Sequence, residues 1–114
     1  MARVQTTFDP FTAIAEPKRR VLIEMLAGKE LTVNEIVDRV GWNQPMVSKH
    51  LGVLKRVGIV SERKAGRHRA YKVDAAQLKP VKEWVVQFER YWGNSLDHLE
   101  DYLNEIQAKE VKDE

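Results

Sequence analysis

Residues 43–58 read NQPMVSKHLGVLKRVG, and the division of polar from apolar side chains in this stretch decides the fold. On a helix turning about 100° per residue, Met46, Val47, His50, Leu51, Val53, Leu54 and Val57 fall on one half. Gln44, Pro45, Ser48, Lys49, Gly52, Lys55 and Arg56 fall on the other. Asn43 is a good N-cap, and Pro45 is tolerated in the first turn, where its missing N–H has no helical partner to lose. The apolar half is expected to pack on neighbouring helices, leaving the polar half to meet a partner.

Working back from this stretch, LTVNEIVDRVG (31–41) places Thr32 and Glu35 at capping-box spacing, followed by an apolar face of Val33, Ile36, Val37 and Val40. Gly41 stops this short helix, and GWN makes a tight connection to the next. Upstream, EPKRRVLIEMLAG predicts a helix from about Pro17 to Ala27, with Pro17 in its first turn, a stripe of Val21, Leu22, Met25 and Leu26, and Gly28 as its stop. FDPFTAIAE reads as a short first helix with Phe8, Phe11, Ile14 and Ala15 on one side.

Working forward, IVSERKAGRHRAYKV (59–73) has β-branched and aromatic positions on both sides of Gly66, the pattern of a two-stranded hairpin. Arg63, Lys64, Arg67, His68 and Arg69 lie near its tip. A lone hairpin is marginal in water, so its apolar side is expected to pack on the helices. From Ala75 to about Lys109 the pattern is helical, with Leu78, Val81, Trp84, Val85, Phe88, Trp92, Leu96, Leu99, Leu103 and Ile106 at steps of three or four and Pro80 near the start. A helix of about 25 residues is roughly 37 Å long, more than a small three-helix core covers. Its stripe needs a second surface, most simply the same helix of another subunit.

The chain is 114 residues long, 43% hydrophobic, and is read as one domain, mainly α with a small β-hairpin. It has no cysteine, which excludes disulfides, thiolate metal sites and thiol redox chemistry. No apolar run reaches the roughly 18 residues of a membrane span, and the start MARVQTTFDPF lacks a signal-peptide core, so a soluble cytoplasmic protein is expected. The net charge is only +2, but its distribution is uneven: residues 43–72 carry eight basic side chains and one acidic, whereas residues 75–114 carry five basic and nine acidic. A basic segment inside a small acidic remainder points to a polyanion-binding face.

A short helix, a Gly-containing turn and a second helix with a polar basic face form a helix-turn-helix, here over 31–57, and the hairpin over 59–73 corresponds to a wing. The whole run EPKRRVLIEMLAGKELTVNEIVDRVGWNQPMVSKHLGVLKRVGIVSERKAGRHRAYKV resembles the winged-helix domain of the ArsR/SmtB transcriptional repressors. QPMVSKHLGVLKRVGIV followed by ERKAGRHRAYKV is its most specific part. EWVVQFERYWGNSLDHLEDYL further resembles one cysteine-free branch of that family. The resemblance implies a repressor and a homodimer joined by the first and last helices, bound to an operator of approximate two-fold symmetry. Metal-sensing members carry cysteines in a pattern like ELCVCDL, where this chain reads ELTVNEI, with Thr32 and Asn34 in the cysteine positions. A second family site uses Asp and His early in the last helix with a further His beyond. Here Asp97 and His98 are adjacent and Lys109 stands where the second His would be sought, so no metal and no cofactor is assigned.

Gln44 and Ser48, on the free face near the helix start, are candidates for base edges, since Gln can pair bidentately with adenine. The bland alternative is that both bond phosphate or water. Lys49 and Arg56 are candidate phosphate contacts, and Pro45 shares their polar half as a further candidate DNA contact. His50 lies on the apolar half and reads first as a partly buried hydrogen-bonding histidine, second as a DNA contact. Arg67 and Arg69 suit a minor groove or a phosphate clamp, against the alternative of a charged solubilising loop, while His68 shapes the tip. Arg63 and Lys64 complete the basic wing. Trp84, Phe88 and Trp92, with Phe8, Phe11, Leu96, Leu99 and Leu103, read as dimer core in preference to a ligand pocket. His98 and Asp101 lie at i, i+3 spacing but have no further histidine in that helix to complete a metal site.

An enzyme is not expected: there is no zincin His pair, no phosphate-cradling Gly-rich loop, and no activating motif around Ser48, Ser61 or Ser95. A winged-helix module that binds protein instead of DNA is the remaining alternative. The charge concentrated in the second helix and hairpin argues for double-stranded DNA. The effector, the operator and the regulated genes are not legible in the residues.

Overall fold

The computed structural model describes residues 9–92 and 96–113. In chain order these form α1 (Pro10–Ala15), α2 (Pro17–Leu26), β1 (Glu30–Thr32), α3 (Val33–Val40), α4 (Gln44–Val57), β2 (Val60–Ala65), β3 (His68–Val73), a 3-10 turn (Ala75–Leu78), α5 (Lys79–Val86), α6 (Glu89–Trp92) and α7 (Leu96–Asp113). Described residues up to Val81 make one compact unit and those from Lys82 another.

In the first unit, each helix begins where a side chain can replace the backbone partner that a first turn lacks. Asp9 accepts from the Thr12 N–H at 2.8 Å, Glu16 from Lys18 at 3.3 Å and Asn43 from Met46 at 2.9 Å. At α3 the capping box is complete: the Thr32 hydroxyl accepts from the Glu35 N–H at 3.2 Å, and the Glu35 carboxylate accepts from the Thr32 N–H at 3.0 Å. Helix ends are met as specifically. Arg19 donates to the carbonyls of Ala13 (2.7 Å) and Thr12 (3.1 Å), and Arg20 to that of Ile14 (2.7 Å), sealing the C-terminus of α1. Gly58 closes α4 at φ +92°, a left-handed conformation that costs glycine little, and lets the Ile59 N–H reach the Leu54 carbonyl at 3.0 Å.

The core joins Leu22 and Leu26 of α2, Ile36 of α3, Val47, Leu51 and Leu54 of α4, and Ile59 and Val60 beyond it. Within α1 the buried residue is Ala13, and Ile14 packs half-buried against the core as expected, whereas Ala15 is exposed and Phe11 is 41% exposed, so these two do not join it. Six residues are too few for an apolar stripe to outweigh the fit of a small side chain against the neighbouring helices. Phe8 lies outside the described residues.

The sheet has the order β1-β3-β2, antiparallel throughout. The hairpin pairs Val60 with Val73 through to Ala65 with His68, turning on Gly66 at φ +64°. β1 adds Leu31 opposite Tyr71, so the expected two-stranded hairpin is in fact the larger part of a three-stranded sheet. Leu31, Val60 and Tyr71 share its inner face and are buried.

In the second unit α7, with 18 residues, is the long C-terminal helix. The run from Ala75 is not one helix, however. The Phe88 N–H donates to the Val85 carbonyl at 2.9 Å instead of reaching back to Trp84, whose carbonyl takes the Gln87 side-chain amide at 2.9 Å. That exchange ends α5 beside two β-branched valines, and α6 follows as a separate turn. Among the described residues no helix is long and apolar enough to cross a membrane.

Two substitutions separate the local from the tertiary contribution. Thr32→Ala removes the acceptor of the capping box and lowers unfolding free energy by about 1 kcal/mol. Leu51→Ala empties a fully buried position and costs about 2–5 kcal/mol. Urea titration followed by circular dichroism reads both; equal losses would reject the capping assignment.

Candidate nucleic-acid interface

Burial divides α4 as its sequence does. Val47, Leu51 and Leu54 are buried, and Met46, His50, Val53 and Val57 are half-buried. Gln44, Pro45, Ser48, Lys49, Gly52, Lys55 and Arg56 are all exposed. The turn Gly41–Asn43 leads into this helix; Trp42 is held there by the Lys18 ammonium 5.3 Å from its ring centre, and the same ammonium lies 3.3 Å from the Met46 sulfur.

Between α4 and the wing runs an open cleft of about 340 Å³, lined by Val33, Asn34, Gln44, Ser48, Arg67, His68, Arg69 and Tyr71. It brings together five residues singled out from the sequence: Gln44 and Ser48, one turn apart on α4, and Arg67, His68 and Arg69 from the hairpin tip. Asn34 and Tyr71 also line it and were not singled out as contacts. In the sequence Asn34 stands out only as the occupant of a cysteine position; its place in the first turn of α3 is the signal that marks it for this cleft. Pro45, Lys49, His50, Arg56, Arg63 and Lys64 are not among the residues that line the cleft.

Several of the basic side chains serve the fold. Arg63 donates through Nε and Nη2 to the Glu30 carboxylate at 2.8 and 2.6 Å, tying β2 to β1 across the sheet. That guanidinium holds Glu30 below the usual carboxylate range. Lys55 and Arg69 both donate to Glu62 Oε1, at 2.5 and 2.9 Å. The Lys55 hydrogen bond, then that of Tyr71, holds Glu62 low as well. Burial, reinforced by the hydrogen bond to Glu62, pushes the Tyr71 phenol up to about 12, so it remains a donor at any physiological pH. Among the described residues Lys49, Lys64 and Arg67 enter no ion pair.

His50 sits 3.4 Å by Nδ1 from Arg19 Nη1, half-buried against α2. A guanidinium only donates, so Nδ1 accepts and the ring is neutral. Burial first, then Arg19, lowers its pKa below the ordinary 6.5, with Lys18 and Lys49 adding to the effect and Glu16 opposing it. The partly buried hydrogen-bonding histidine is the arrangement found.

A helix-turn-helix whose second helix turns a polar face outward, followed by a wing that closes a basic cleft beside it, defines a winged helix-turn-helix regulator. Residues 16–62 match the family model described as bacterial regulatory protein, arsR family. HTH-type transcriptional regulator Rv2034 of Mycobacterium tuberculosis is 34% identical over 84 residues, 74% of this chain and 76% of that one. Transcriptional repressor SdpR of Bacillus subtilis is 28% identical over 86 residues, 75% of this chain and 96% of that one. A crystal structure of a possible transcriptional regulator for arsenical resistance superposes with a TM-score of 0.62 at 35% identity, covering 80% of this chain and 92% of that one. The chain belongs to the ArsR family and is a DNA-binding transcriptional regulator.

The thiolate site of metal-sensing members does not fit these residues: the Thr32 oxygen is engaged as the α3 cap, Asn34 faces the cleft, and neither offers a thiolate. The side chains of Asp97 and His98 lie outside the described residues.

The neutral His50 gives stability a specific pH dependence. Its folded pKa is lowered, so its contribution is fully present above the unfolded value of 6.5 and is lost as pH falls through the folded one. The thermal midpoint accordingly falls between about pH 7 and pH 5, and His50→Gln flattens that part of the profile. An identical profile in the variant would remove His50 as the cause.

Proposed function

We propose that the chain is a cytoplasmic homodimeric repressor that binds a pseudo-palindromic operator in double-stranded DNA and catalyses no reaction. One observation carries the reading: Gln44 and Ser48 share a single cleft with the basic wing tip. Gln44 and Ser48 then meet base edges in the major groove, where Gln suits adenine. Lys49, Lys64 and Arg67 neutralise phosphates on either side, and Asn34 adds a neutral donor to the same backbone. His50 supports α4 from behind.

Residues 1–114 act as one functional domain in this reading, with residues 31–57 and 59–73 meeting DNA and the flanking helices joining subunits. Apolar side chains left exposed within each unit favour a second copy: Phe11 in the first, and Trp84, Trp92, Leu99 and Leu103 in the second. Phe88 stands 5.0 Å from Trp84 in an edge-to-face pair within that second set. Two copies place their α4 helices in successive major grooves about 34 Å apart. Bound over a promoter, such a dimer blocks polymerase by occupancy, in keeping with the name of the Bacillus subtilis relative as a repressor.

Selection from a random duplex pool yields a binding sequence, and fluorescence anisotropy then gives affinity across salt. Specific binding that falls with log salt by about 0.9 per neutralised phosphate is the expected result. No binding at low salt would favour a protein-binding module instead. Arg67→Glu lowers affinity by about tenfold or more with the dimer intact; unchanged affinity removes Arg67 from the interface. Phe88→Asp dissociates the dimer in sedimentation by placing an unpaired charge in its contact, and a persistent dimer moves the contact elsewhere.

A further inference from the structure

Glu62 is the one acidic side chain between residues 43 and 72. Its side chain is 12% exposed, whereas those of its partners Lys55 and Arg69 are 51% and 63% exposed. The carboxylate thus sits beneath two surface cations and draws both inward. Its partners come from different elements: Lys55 from the last turn of α4, Arg69 from β3, and Tyr71 opposite Glu62 in the β2–β3 register. Arg69 and Tyr71 also line the cleft that holds Gln44 and Ser48.

We propose that Glu62 is a specificity-determining positioning residue, which holds Lys55 and Arg69 away from DNA phosphates and fixes α4 against the wing. The inference rests on the DNA-binding reading above. Every cation that reaches a phosphate strengthens binding to all sequences alike, whereas contacts from Gln44 and Ser48 favour one sequence. In the operator complex the base contacts of Gln44 and Ser48 fix the docking and so limit which phosphates a freed cation meets, whereas on an unrelated duplex the protein can shift to meet them. A carboxylate that occupies two cations therefore lowers the background on unrelated DNA more than it lowers binding to the operator. Lys55 and its own hydrogen bond keep Glu62 ionised, so the clamp persists across the physiological range. The second ion pair of the wing has a different office. Arg63 and Glu30 lie on the opposite face of the sheet from Glu62, as the alternation of the register requires, and join β2 to β1.

Glu62→Gln tests this, because it keeps the shape and one acceptor while removing the charge. The probes are a duplex selected by the wild-type protein and an unrelated duplex of equal length. The expected result is tighter binding to the unrelated duplex and a salt slope steeper by up to about 0.9 for each released cation. The ratio of selected to unrelated affinity falls by about tenfold. A merely structural role would instead weaken binding to both duplexes without steepening the slope, and that result overturns the proposal. So does an unchanged slope and ratio in a protein whose wild type binds. If the wild type binds neither duplex, the DNA-binding reading itself fails and takes the proposal with it. Lys55→Met supplies a second arm should Glu62→Gln unfold: a clamped Lys55 makes no phosphate contact, so the slope is unchanged, while Lys49→Met flattens it. Flattening by about 0.9 in Lys55→Met overturns the clamp.

Discussion

The burial of Val47, Leu51 and Leu54 fixes the rotation of α4 about its own axis, and what the protein offers to DNA depends on that angle. Turning the helix by one residue would expose Leu51 and draw Ser48 toward the core, exchanging a hydroxyl at the surface for an apolar patch. The angle is held at both ends. Asn43 caps the start, and Gly58 reverses the chain so that Ile59 and Val60 drop into the same core. Core and interface are in this sense one feature, since the residues that stabilise α4 also select which of its side chains are displayed.

The positive charge of the reading segment is less available than its count implies. Arg63, Lys55 and Arg69 each have a carboxylate within hydrogen-bond distance, and exposed pairs of this kind add little to stability. Their effect is on geometry and on the local field. Arg19 and Arg20, basic residues outside that segment, are committed to the carbonyls of α1. A regulator that must find one site among many benefits from having its cations directed, since undirected charge favours every sequence equally.

The elements that bury a stripe were legible in the sequence. The two faces of α4, the capping box at Thr32 and Glu35 and the turn at Gly66 follow from periodicity and from local chemistry that acts over three or four residues. Elements decided by tertiary contacts were not. β1 has three residues, too few to show any alternation, and exists because β3 offers it an edge. The break at Gln87 and Phe88 rests on a side-chain amide competing for one carbonyl, which no hydrophobic pattern records. For the candidate site, residue type and helical face sufficed to single out Gln44 and Ser48, and residue type at the hairpin tip sufficed for Arg67. Asn34 and Tyr71 needed the fold to bring α3 and β3 beside α4. Glu62 carries no signal in the sequence, since an acid in a basic segment reads as an exception without the partners that the fold supplies.

β1 pairs with β3 and not with β2, so Glu30 and Lys72 meet across all the chain that lies between them. The hairpin of β2 and β3 is local and can form early, but the β1–β3 pairing closes a loop that contains the whole of α3 and α4. Loop-closure entropy grows only slowly with length, so the penalty is modest at equilibrium, while such distant pairing slows folding. The consequence is kinetic: the helix-turn-helix is the content of a loop that shuts late, and a nascent chain does not complete this sheet until the last strand of the wing has been synthesised.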